Sequence, residues 1–294
     1  MLILSRFVRA AFCYQNGTLL TRKYRPSEHA DNCTFPALIE GWRELWAAGT
    51  GGQTSRTFPF GFVQLNSVNN GSVYNDPADP THGDPYSPAF GYGGLRWAQT
   101  AGYGRVPNPV QPNVFMAVSV DTPDRPFFFR SSLNGNADPG CNVHSPFKQP
   151  TAARLARAGL AAHYNMSFDT VTPLAGKLSR GPSKGELVLA IEDAGAGVSE
   201  LRSSKGFEAL SAGHWVSCPA TARTASTVTV SGVPDGATKL RYNWWSNPCG
   251  LEVFGCAVYV DVEPLRHVFS GDFPFLPLPP FVADIPPPGS MLYY

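Results

Sequence analysis

Two kinds of hydrophobic spacing divide the chain. Residues 150–163 (PTAARLARAGLAAH) repeat apolar positions at helical intervals, with Ala153, Ala156, Leu160 and Ala161 on one face and Arg154 and Arg157 on the other. That spacing predicts an amphipathic helix with Pro150 in its first turn, where the missing N–H costs nothing. Residues 35–46 place Leu38, Trp42 and Leu45 at the same interval, and the glycine-rich stretch 49–52 predicts the helix end. Residues 58–65 (FPFGFVQL) and 114–120 (VFMAVSV) are short runs of aromatic and β-branched residues, the pattern of buried strands. Helix and strand in alternation predict an α/β layer. Residues 95–100 predict a short helix. The stretch 66–94, rich in Asn, Asp, Pro and Gly, predicts a long loop in which His82 is solvated.

Beyond Asn165 the spacing changes. Residues 187–191, 215–218, 227–230 and 240–245 read as short strands separated by Gly, Pro and Asp turns, the clearest being 231–236 (SGVPDG). This predicts a β-sandwich-like unit. From Phe273 the Pro-rich text predicts an extended, polyproline-like tail whose aromatics dock back onto the body. The expected organisation is an α/β domain over 1–165, a sandwich over 166–262 and a tail over 263–294. The first thirty residues show no clear period.

Charge and composition narrow the partners. A formal charge of +1 argues against nucleic acid or an anionic membrane as the main partner, and the absence of any apolar run of 18 residues argues against a membrane span. Only 15% of residues are charged, against 29 glycines and 28 prolines, which predicts a loop-rich body; 43% hydrophobic residues are enough for a core. Asn-x-Ser/Thr sequons at Asn16, Asn32, Asn70 and Asn165, together with six cysteines, point to the secretory pathway. The apolar start is too short for a signal-peptide core, so the natural N-terminus is expected elsewhere. Cys249 and Cys256 bracket a short loop and predict a disulfide that closes a small ring, with modest stabilisation.

No metal-ligand spacing and no glycine-rich phosphate loop is present, so neither metal nor cofactor is expected. Gly-x-Ser-x-Gly is also missing, and Ser55 and Ser67 lack the glycine framing of an elbow nucleophile. The turn 138–144 (DPGCNVH) follows the second strand and precedes the helix, where open α/β sheets collect their chemistry. His144 is there the candidate general base, with a carboxylate to orient it.

Several blocks carry a resemblance. Residues 32–43 (NCTFPALIEGWR), 58–65 (FPFGFVQL), 95–100 (LRWAQT), 106–109 (VPNP) with 115–118 (FMAV), 240–249 (LRYNWWSNPC) and 279–281 (PPF) resemble, in order, blocks of the sialate O-acetylesterases. The resemblance implies an α/β fold class: a partial three-layer α/β/α domain of the SGNH-hydrolase type followed by a β-sandwich-like domain. It implies an esterase that removes acetyl groups from sialic acid hydroxyls. A serine attacks the acetyl carbonyl, a histidine takes its proton, and backbone N–H groups with a Gly and an Asn side chain bind the oxyanion. Carried over, His144 is the catalytic histidine and Asp138 its orienting acid, with Asp121 in reserve. The chain departs from the family at Cys141 and Asn142, three and two residues before the histidine, where an acid is expected.

The family's Gly-Gln-Ser-Asn nucleophile block is not in this chain, and its Trp-Tyr-Gln-Gly-Glu block matches at most Cys13-Tyr14-Gln15-Asn16. The resemblance therefore implies the C-terminal portion of such an enzyme, inactive by itself. The implied partner is an O-acetylated sialic acid or another acetylated sugar, and the implied location is extracellular or lysosomal. Two alternatives stand beside it. One is another carbohydrate acetylesterase. The other is a non-catalytic sugar-binding or structural paralogue, in which Trp215, Tyr242, Trp244 and Trp245 stack on sugar rings rather than pack in the core. Strands apolar on both faces, left without N-terminal neighbours, further predict an open edge and poor solubility.

Overall fold

A computed structural model describes residues 14–15, 18–19, 28–67, 92–123, 145–199, 201–245, 247–250, 252–263 and 273–287, with side chains from Cys33 onward. His144, Asp138, Cys141 and His82 lie outside the described residues.

Strands β1 (Tyr14–Gln15) and β2 (Thr18–Leu19) form a small antiparallel hairpin. Helix α1 (Glu28–Gly49) leads to strand β3 (Phe60–Val63), then come α2 (Tyr92–Ala98), β4 (Val114–Ala117) and α3 (Lys148–Tyr164). β3 and β4 pair in parallel, Phe60 opposite Val114 and Val63 opposite Ala117. Side chains alternate across a strand, so Phe60 and Phe62 share one face while Phe115 points to the other. Trp42 and Phe35 of α1 meet Phe60 and Phe62, with ring centroids 5.7 and 5.0 Å apart. Gly159 of α3 lies against Phe115. The two helices therefore cover opposite faces of the parallel pair. Gly61 lets Phe115 lie across β3, since a Cβ there would stand 2.3 Å from the ring.

Three expectations change here. β3 is not buried on both faces: Gly61 and Val63 are exposed, because β4 is its one strand partner among the described residues. On α1 the stripe Leu38, Trp42 and Leu45 is exposed, and Trp46 reaches 61%. Ile39, Arg43 and Ala47 form the buried face instead. Arg43 is buried because its guanidinium donates to Phe58 O (2.7 and 3.0 Å) and Asn113 O (3.3 Å), tying the helix to the chain ahead of both strands. On α3 the arginine face is the buried one: Arg154 and Arg157 lie inside with Ala153 and Ala158, while Ala156 and Leu160 are only half-buried. Carboxylates and carbonyls supplied by distant segments make that burial possible.

The rest of the chain is antiparallel. In order come β5 (Leu174–Arg180), β6 (Leu187–Glu192), β7 (Gly197–Val198), β8 (Phe207–Ser211), β9 (His214–Cys218), β10 (Ala220–Arg223), β11 (Thr227–Val230), β12 (Lys239–Tyr242), β13 (Tyr259–Asp261), β14 (Phe275–Pro277) and β15 (Phe281–Asp284). They form sheets of order β10-β11-β6-β5, β15-β12-β8-β9 and β14-β13-β7. Leu187, Leu189, Val228 and Val230 share one core with Phe207, Ala209, Leu240 and Phe281. Apolar side chains alternating inward from two sheets are what hold such a core together. The C-terminal segment is thus no polyproline tail: β14 and β15 pair with β13 and β12, and Phe281 packs on Phe207 and Tyr242.

Nor does a boundary near 165 separate two cores. The Cys249–Cys256 disulfide is present, and both cysteines pack with Tyr259 against Ile39, Phe62, Met116 and Val120. Cys218 is free and buried under the sandwich, and burial pushes its thiol up to about 11. A thiol held neutral and out of reach is inert. Iodoacetamide is accordingly expected to label Cys218 only in denaturant, a result that peptide mapping would read directly.

Candidate active site

The carboxyl ends of β3 and β4 are laced together by polar side chains. Ser119 donates to Gln64 O at 2.7 Å, Ser67 to Val120 O, and Asn66 Nδ2 to Thr122 O at 2.8 Å. Ser67 is fully buried, its hydroxyl used on a backbone carbonyl, while Ser55 is exposed and bonded to Thr57. Neither is set up as a nucleophile. Arg96 of α2, fully buried, donates Nε to Leu65 O (2.8 Å), Nη2 to Asn66 O (2.9 Å) and Nη1 to Trp245 O (2.7 Å). One planar fork so fixes the end of β3 and the Trp244–Trp245 segment together. Gly93 allows that approach, since a Cβ there would stand 1.8 Å from Trp244 O.

Asp121, just beyond β4, is fully buried. Arg154 donates Nη1 to its Oδ1 (2.6 Å) and Nη2 to its Oδ2 (2.8 Å), and Tyr259 donates its hydroxyl to Oδ2 at 3.1 Å. Arg154 Nη1 also reaches Val118 O at 2.9 Å, and Phe254 N–H donates to Asp121 O at 2.7 Å. Burial, reinforced by the Asp121 charge, pushes the Tyr259 phenol well above its ordinary value, so it stays protonated and keeps donating. Asp121 is a brace among β4, α3 and the 254–259 segment. One turn along α3, Arg157 donates to Asp169 Oδ1 (3.3 Å), Thr170 O (3.0 Å) and Glu263 O. Burial lowers its pKa, and Asp169 pulls it back up.

Ser145, the sequence neighbour of His144, is buried, and its hydroxyl stands 3.5 Å from Pro123 O, two residues past Asp121. It also accepts from Phe147 N–H at 3.1 Å, ahead of α3. Pro123 and Ser145 therefore meet just beyond the carboxyl end of β4. Of the aromatics of the sugar-stacking alternative, Tyr242 and Trp244 are buried, and Arg241 covers Trp215 at 4.0 Å. Sequence reasoning missed Arg96, Arg154 and Tyr259, although Arg96 lies inside the LRWAQT block. Among the described residues no cluster of His, Cys, Asp and Glu could hold a metal, and no helix is long and apolar enough to cross a membrane.

No protein-family profile matches the chain. The sialate O-acetylesterase of Mus musculus is 36% identical over 262 residues, and that of Homo sapiens 37% over 265; each alignment covers 86% of this chain. This chain is a homologue of the sialate O-acetylesterases. The homologue spans about two-fifths of its relatives' length, 41% and 42% respectively. Its fold is similar to that of a carbohydrate acetylesterase from Xanthomonas citri, with TM-score 0.54 and 19% identity over 86% of this chain and 46% of the other.

Proposed function

We propose that the homologue supplies the histidine side of an SGNH-type sialate O-acetylesterase site, with His144 as general base and Asp138 as the acid that orients it. The observation that carries this reading is the buried polar frame at the carboxyl ends of β3 and β4, joined by Ser145 beside Pro123. In that chemistry the imidazole removes the proton of an attacking serine and passes it to the departing sugar oxygen as the acetyl-enzyme forms; a water deprotonated by the same imidazole then releases acetate and restores the serine. The serine belongs to a Gly-Gln-Ser-Asn block that this sequence does not contain. The substrate is an O-acetylated sialic acid, and the chain alone is inactive toward it.

A chimera in which this chain replaces the matching segment of the mouse relative tests the assignment. It is expected to release acetate from an O-acetylated sialic acid, and His144→Ala to lower its kcat/KM by at least about 1,000-fold. A folded chimera unaffected by His144→Ala would sink the reading. Turnover by the isolated chain that vanishes with His144→Ala would instead reveal a serine within it. The Cys249–Cys256 disulfide and the exposed sequon at Asn165 support a secretory location. Expression through that route should give a mobility shift that an endoglycosidase removes; absence of any shift would count against it.

A further inference from the structure

A cleft of about 390 Å³ opens where the α2 side of the molecule meets both large sheets. Its walls include Trp97 of α2, Tyr103 and Arg105 in the loop after it, Glu192 at the end of β6, and Pro280 and Phe281 where β15 begins. The volume falls within the range of small-molecule sites, which are mostly apolar and carry a few convergent polar groups. Pro280 and Phe281 are buried and form apolar wall, while Tyr103, Arg105 and Glu192 are exposed. Neither Arg105 nor Glu192 spends its side chain on an ion pair or hydrogen bond within the described structure.

The loop that presents Tyr103 and Arg105 is fixed in advance. Ala101, Gly102 and Gly104 all have positive φ, and at Gly104 a Cβ would stand 2.6 Å from the Trp97 ring. Thr100 Oγ1 accepts from Gly104 N–H at 2.8 Å, and Asn108 Nδ2 donates to Thr100 O (3.0 Å) and Arg105 O (2.9 Å). Tyr103 N–H donates to Thr100 O at 3.1 Å. A rigid loop loses little freedom when a ligand arrives, which favours binding. Tyrosine offers a ring face with a polar tip, arginine only donors, and carboxylate only acceptors. Together they match a ring with C–H groups on its face and hydroxyls on its edge. The free positive and negative groups in one cleft favour a neutral ligand over an anionic one.

We propose that this cleft binds a neutral pyranose residue of an oligosaccharide, laid on Tyr103 and hydrogen-bonded through Arg105 and Glu192. The assignment does not depend on His144, so it and the esterase reading fail separately. Calorimetric titration of the full chain with lactose and with 3′-sialyllactose provides the test. Both are expected to bind with similar affinity, in the low-millimolar range (~1–10 mM). Tyr103→Ala and Arg105→Ala, both at exposed positions, should each weaken binding by about tenfold with an unchanged thermal midpoint, while His144→Ala leaves it intact. Saturable binding of the sialylated sugar alone would overturn the neutral-sugar assignment. Equal binding by wild type, Tyr103→Ala and Arg105→Ala, or no binding of either sugar, would remove the site altogether.

Discussion

Asp121→Ala is expected to destabilise the protein by about 3–5 kcal/mol, because it leaves the Arg154 guanidinium buried without its counter-charge. The loss is spread over three segments. Arg154 loses two bonds to the carboxylate, and Tyr259 loses the acceptor its protonated hydroxyl faces. Against a net stability of about 5–15 kcal/mol, this is a large fraction. Urea denaturation should show a lowered midpoint with a similar slope. The double variant Asp121→Ala, Arg154→Met should recover part of the loss, since it removes the stranded charge along with its partner. A double variant as unstable as the sum of two singles would show that these residues act independently.

Arg96→Met is the second large effect, at about 3 kcal/mol or more, since it orphans three carbonyls at once, that of Asn66 buried and those of Leu65 and Trp245 half-buried. Those carbonyls belong to Leu65, Asn66 and Trp245, so the damage falls on the joint between the end of β3 and the segment after β12. Hydrogen exchange should accelerate at 64–67 and 243–245 before it does so in the sandwich sheets. Arg96→Lys should rescue little, because one ammonium cannot span three separated acceptors. Uniform acceleration over the whole chain would argue against a local joint.

Much of the architecture was legible in the spacing of apolar residues. The helix after 148, the parallel strands near 60 and 114, and strands β6, β9 and β11 all lie where the pattern predicts. The face of α3 was not legible, because an arginine reads as outward until its partner is known. Asp121 lies 33 positions from Arg154, and Glu263 lies 106 from Arg157. The end of the chain misled for a similar reason: FLP and FVAD are short and bordered by prolines, and only pairing with β13 and β12 makes them strands. The exposed stripe on α1 marks the opposite case. Leu38, Trp42 and Leu45 have core spacing, yet the described residues leave all three exposed, even Trp42 beside the Phe60 ring. Of the candidate site, sequence identified the strand ends but not the arginines and Tyr259 that bind them.

The shared core also orders events during synthesis. Ile39, Phe62 and the 114–120 segment leave the ribosome long before Cys249, Cys256 and Tyr259, the residues that complete their packing. A chain made from its amino end therefore cannot seal the α/β layer as it appears. It must carry that half open until the sandwich strands have followed, with its apolar side chains available to chaperones meanwhile. A ribosome stalled just short of Cys249 should hold a nascent chain whose first half is still cut readily by protease.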